Sequence, residues 1–144
     1  MAYFEKSKDV ISCIGGLFDW AGKQEELAKK YRATEMIIRL NYTEPDAVLT
    51  IDCKNEPKRK GMLIDWVEGD GDCVADVEFF MKTDVAHRFW LGKVNLLVAL
   101  TKRDVVAKGP IFKVMKMLPL LKPLYEKYPD ILAEKGKSEL VEVS

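Results

Sequence analysis

A chain of 144 residues, 48% of them hydrophobic, has the length of one domain and enough apolar residues to fill one core. Lys plus Arg and Asp plus Glu both number 23, which excludes a molecule drawn as a whole to nucleic acid or to an anionic membrane, so a partner must be sought in local features. The three cysteines, Cys13, Cys53 and Cys73, are odd in number, far apart and without a C-x-x-C pair, which argues for reduced core thiols in a cytoplasmic protein and against a disulfide framework or zinc site.

The first residues carry Glu5, Lys6 and Lys8 and lack the apolar stretch of a signal peptide; no run reaches the roughly 18 apolar residues of a membrane span. A cytoplasmic protein without stable membrane insertion is expected, and the closing Glu142-Val143-Ser144 is not a peroxisomal address. Between residues 10 and 32 the pattern predicts two helical pieces parted near Gly15 and Gly16, the second with Leu27, Ala28 and Tyr31 on its apolar side. Residues 34–80 then change to β-rich runs at 36–42, 47–53, 61–67 and 73–80. Their separators are turn-rich and too short for a crossover helix, so an antiparallel meander is expected.

In the first run Met36, Ile38, Leu40 and Tyr42 alternate with Arg39 and Asn41, giving a sheet with one apolar face that needs a cover. Thr83 and Asp84 read as the start of a covering helix holding Val85, Ala86, Phe89 and Trp90, with Gly92 as its stop. A second short helix spans residues 94–100 and is apolar almost all round; residues 104–108 suit a fifth strand. Pro110 opens a last helix running to about Tyr128, which Pro119 and Pro123 should kink or break. The expected whole is one α+β domain over residues 1–132, an antiparallel-dominated five-stranded sheet with helices over one face, and a flexible tail at 133–144.

Catalytic apparatus is hard to find. His87 is the only histidine and sits beside Phe89 and Trp90, which favours satisfied packing or surface exposure over catalysis. Asp65, Glu68, Asp70 and Asp72 cluster at a hairpin tip, but without the acidic residue that closes a calcium loop. There is no phosphate-binding glycine loop, and Lys58-Arg59-Lys60 lacks neighbouring aromatics to stack bases. No catalytic residue, metal, cofactor or nucleic acid is therefore expected.

What the sequence has in surplus is apolar surface between residues 94 and 124. In the last helix Lys113 and Lys116 lie on one side and leave roughly two-thirds of the circumference hydrophobic, more than one sheet contact uses. A neighbouring helix, a second subunit or a bound lipid would each cover it; Met115 and Met117 suit an adaptable pocket.

The run Ala75-Asp76-Val77-Glu78-Phe79-Phe80-Met81-Lys82-Thr83-Asp84, the helix ending at Gly92-Lys93, Asn95, and the short strand ending Lys108-Gly109 before an apolar helix together resemble the sterol carrier protein type-two domain. The order of elements agrees from about Ile11 to Leu124, with Arg103-Asp104 standing where the family often has Gly-Lys. The resemblance implies a sheet with helices over one face and a tunnel between them for fatty acids, acyl-coenzyme A thioesters, phospholipids or sterols.

On that reading Phe79 and Met81 belong to one wall of the pocket, and Phe89, Trp90, Val94, Leu97, Val98, Ile111, Val114, Met115, Leu118 and Leu121 to the other. Lys93, Lys113 or Lys116 would meet an anionic head group. The function expected is carriage of a lipid or acyl-coenzyme A ligand without catalysis. The rivals are an interaction module, such as a homodimer with a closed core, and an acyl-thioester enzyme using Asp84.

Overall fold

A computed structural model describes residues 2–142. The strands are β1 (Ile37–Thr43), β2 (Ala47–Asp52), β3 (Asp65–Glu68), β4 (Val77–Lys82) and β5 (Val105–Lys108). The helices are α1 (Ser7–Lys23), α2 (Glu25–Ala33), α3 (Thr83–Trp90), α4 (Leu96–Lys102), α5 (Ile111–Met117) and α6 (Lys122–Glu134), with 3-10 turns at Leu118–Leu120 and Ser138–Val141.

The alternation in β1 works as its pattern predicts. Ile38, Leu40 and Tyr42 share one face, and the register extends that face to Ile51 and Leu49 on β2 and to Phe79 and Met81 on β4. The opposite face is mixed: Ile37, Phe80 and Val106 lie on it beside Arg39, whose Nε donates to Thr50 Oγ1 at 3.1 Å and whose Nη1 pairs with Glu78 at 3.4 Å.

The sheet is mostly antiparallel, but the expected meander is corrected by the strand order β3-β2-β1-β4-β5, in which β4 lies parallel to β1. The hairpin connections read correctly for β1, β2 and β3; β4 then crosses to the free edge of β1. Arg39 Nη2 ties this crossing down by donating to the carbonyl oxygens of Asp70 and Cys73, at 2.9 and 2.5 Å. Asp76 sets the register: its carboxylate accepts the Ile37 N–H at 2.8 Å, and its own N–H donates to the Ile37 carbonyl at 2.8 Å.

The break expected at Gly15 and Gly16 is also corrected, because α1 runs through both and ends at Lys23. A Cβ on Gly15 would meet the Trp66 indole of β3, and one on Gly22 would stand 2.6 Å from the Ile64 carbonyl oxygen. These glycines let strand and helix approach; they do not stop the helix. Gly92 does stop α3: its N–H donates to the Phe89 carbonyl and that of Lys93 to the Arg88 carbonyl, a Schellman pair. Arg103 ends α4 in the same way with φ +64°, a conformation that suits glycine. Thr83 and Asp84 begin α3 without capping it: Thr83 Oγ1 donates to the Pro45 carbonyl, and Asp84 accepts the Tyr3 N–H.

Pro119 falls in the 3-10 turn that separates α5 from α6, as its missing donor requires. Beyond it α6 continues to Glu134, past the expected end near Tyr128. The expected tail is folded over its described part. Gly136 ends α6 with φ +73°, and the following turn returns to the body, where Leu140 O meets His87 Nε2 at 2.7 Å and Lys137 pairs with Asp9 at 3.7 Å. Residues 143 and 144 lie outside the described residues.

Candidate functional site: an apolar cavity under the helices

Between the apolar face of the sheet and its helical cover lies a cavity of about 60 Å³. β1 contributes Ile38, Leu40 and Tyr42, and β4 contributes Phe79 and Met81, because both sets face the same side in register. Ile51, Cys53 and Ile64 extend this wall. Phe18 and Tyr31 come from α1 and α2, and Phe89 and Trp90 from α3. Leu96 of α4, Val114 and Met117 of α5, Leu118, Leu121 and Leu124 close the cover.

The polar atoms that approach this space are already engaged. Tyr31 donates its hydroxyl to the Leu120 carbonyl at 2.6 Å, and Trp90 Nε1 donates to the Tyr42 hydroxyl at 3.1 Å. Burial pushes the Cys53 thiol up to about 12, so it stays protonated and is no nucleophile at neutral pH. Burial likewise raises Tyr31 and Tyr42 well above the usual phenol range. Among the described residues, no buried side-chain nitrogen or oxygen lacks a hydrogen-bond partner. The lining is therefore an apolar surface whose buried side-chain oxygens and nitrogens are already bonded within the protein.

Most lining side chains are buried, but Phe79, Met117 and Leu118 are half-buried, which brings the cavity nearest to solvent between β4 and the α5 end of the cover. α5 also carries Lys113, which pairs with Asp76 at 3.4 Å, and Lys116, which sits 5.8 Å from the centre of the Phe112 ring. The backbone N–H of Ile37, with help from Lys113, holds the Asp76 carboxyl below the usual carboxylate range.

Of the residues assigned to the pocket from sequence, Phe79, Met81, Phe89, Trp90, Val114, Leu118 and Leu121 line it. Leu97, Val98 and Met115 are placed elsewhere, 47%, 48% and 45% exposed. Seven-residue helices at the surface turn only one side inward, here Leu96 and Ala99 of α4 and Val114 of α5. Val94 lines a shallow depression with Lys93, Val98 and Lys102 on the outer side of α4, so neither Val94 nor Lys93 reaches the cavity. Lys113 and Lys116 stay outside its lining too, and the side chain of Ile111 is not among those described.

The pocket residues assigned from sequence did not include Phe18, Tyr31, Ile51, Cys53, Ile64, Leu96 or Leu124, and Met117 entered only as a sign of an adaptable pocket, without a place in either wall. Met117, three after Val114 and four before Leu121, and Leu124, three after Leu121, were signalled by periodicity. Of packing and surface exposure, His87 takes the first: it is 1% exposed, with Nδ1 2.8 Å from the Tyr128 hydroxyl. Among the described residues no group of three or more His, Cys, Asp or Glu is placed to hold a metal, and no helix is long and apolar enough to cross a membrane.

No family model and no curated protein matches the sequence. Solved structures do match. Sterol carrier protein 2 from Yarrowia lipolytica, in its apo form, is 21% identical, with a TM-score of 0.58 over 81% of this chain and 88% of that one. The sterol carrier protein domain 2 of Helicoverpa armigera is 18% identical, with a TM-score of 0.57 over 76% and 85%. The ubiquinone synthesis protein UbiJ-SCP2 is 14% identical, with a TM-score of 0.57 over 83% and 94%. The chain thus has the fold of the sterol carrier protein 2 domain, as its element order led one to expect.

Proposed function

We propose that the protein binds a lipid-like ligand, a fatty acid, fatty acyl-coenzyme A or sterol, in this cavity and carries it without chemical change. The observation that carries the reading is an apolar lining, aliphatic and aromatic side chains with two methionines and a thiol, whose buried side-chain nitrogens and oxygens are internally bonded. Such a surface rewards an apolar guest by about 0.8 kcal/mol for each methylene removed from water and offers nothing to a buried polar head.

A volume of about 60 Å³ takes the end of an acyl chain. A longer ligand requires the lining to part, and the flexible Met81, Met117 and Leu118 beside the solvent-near end supply that adaptability. The head group then stays at the α5 end, where Lys113 and Lys116 are the nearest cations on that helix. Shared fold with proteins named as sterol carriers supports the reading. Free thiols at Cys13, Cys53 and Cys73 support a reducing compartment, the cytoplasm.

Titration with a fluorescent fatty acid tests this. Saturable binding of one probe per chain is the expected result; no saturable binding to delipidated, folded protein overturns it.

A further inference from the structure

The charge of this chain balances overall but not locally. From Val85 to Tyr125 there are eight Lys or Arg residues and one acidic residue, Asp104; the rest of the chain has fifteen basic against twenty-two acidic. The same stretch exposes most of the large apolar side chains that face solvent among the described residues: Leu97 and Val98 on α4, and Phe112 and Met115 on α5, at 45–58% exposure.

We propose that α4, its C-terminal turn and α5 form a docking face for an anionic lipid bilayer. Both helices turn their inner residues, Leu96 and Val114, into one cavity, so they belong to one cover and expose its outer side. Lys93, Lys102, Arg103, Lys116 and Lys122 flank the exposed apolar residues, are themselves exposed, and form no ion pair among the described residues. Elsewhere Lys29, Arg59, Lys82, Lys127 and Lys137 are paired with carboxylates.

Apolar residues among unpaired cations fit a membrane interface: the side chains of Phe112, Met115, Leu97 and Val98 enter the headgroup boundary while the cations meet anionic lipid. A nucleic acid would use the cations but would leave the aliphatic side chains wet, with only Phe112 to stack a base. The face lies beside Met117 and Leu118, where the cavity comes nearest to solvent, so docking would turn that end towards the bilayer. Docking rests on charge and exposure, not on what the cavity holds.

The test is sedimentation of the full chain with phosphatidylcholine vesicles, with and without phosphatidylserine, at low salt. Binding only to the anionic vesicles, reversed by salt, is expected. Lys102→Gln/Lys116→Gln/Lys122→Gln should weaken it about a hundredfold, at about fivefold per cation, while the equally charged Lys30→Gln/Lys58→Gln/Lys60→Gln should bind like the parent. Phe112→Trp provides a second readout, a blue shift of emission on adding anionic vesicles only. No sedimentation, equal sedimentation with neutral vesicles, equal loss in both triple variants, or tighter binding of a single-stranded oligonucleotide at the same salt would each overturn the proposal. A fluorescent fatty acid titration on the same samples separates the claims. Docking without fatty acid binding leaves this face standing and removes the carrier reading; fatty acid binding without docking does the reverse.

Discussion

A Cβ placed on Gly15 of α1 would stand 2.2 Å from Cζ2 of Trp66 on β3, so the indole occupies the space a side chain would need. Trp66 is fixed there by Nε1, which donates to Asp19 one turn further along α1 at 2.7 Å. Gly15→Ala should therefore destabilise the fold by about 1–3 kcal/mol through overpacking. On an exposed helix the same change would stabilise by about 1 kcal/mol, so the sign of the shift in a urea melt decides.

His87 should make stability fall on mild acidification. Nε2 must keep its hydrogen to donate to Leu140 O, so the neutral ring accepts from the Tyr128 hydroxyl at Nδ1. Burial lowers the ring's proton affinity below its ordinary value of 6.5, against the opposing influence of the Leu140 carbonyl and Asp84. The unfolded chain then binds the proton first, so stability is intact above pH 6.5 and drops below it by up to about 1.4 kcal/mol per pH unit until the folded ring titrates. As the only histidine, it leaves a clear control: in His87→Gln, denaturant melts should lose the slope just below pH 6.5.

Ending the chain after Lys137 should cost about 1–3 kcal/mol, because the buried His87 N–H would lose its acceptor at Leu140. A thermal melt of the truncated chain checks this, and an unchanged midpoint would show that the last turn contributes nothing.

Val114 is 2% exposed and lines the cavity from α5, so Val114→Phe should fill the space a ligand needs. We expect fluorescent fatty acid affinity to fall at least tenfold in a chain that stays folded, at a cost of about 1–3 kcal/mol in stability. Met115→Phe, on the exposed side of the same helix, should leave affinity unchanged.

Features that depend on near neighbours in sequence were legible. The alternation of Ile38, Leu40 and Tyr42 identified the buried face, Gly92 the end of α3, and Pro119 the break after α5. Features that depend on distant partners were not. No local pattern says that β4 will cross to the free edge of β1, since the ties come from two residues, Arg39 and Asp76, to partners distant in sequence. Gly15 reads as a breaker until Trp66 is seen against it. Residues 94–100 read as apolar almost all round, and only the packing of α4 shows that Leu96 turns inward while Leu97 and Val98 face out. The cavity was legible where strand or helix period signalled it, at Phe79, Met81 and Leu118, but not at Phe18 or Cys53, which the three-dimensional arrangement brings in.

The central claim is that the cavity holds a lipid-like ligand. Native mass spectrometry of the freshly purified chain, followed by organic extraction, tests it most directly. The account predicts a stoichiometric fatty acyl or sterol species that leaves on denaturation, and its absence from Val114→Phe. An empty chain that stays empty after incubation with fatty acids and sterols would contradict the account and leave an interaction module with a closed core.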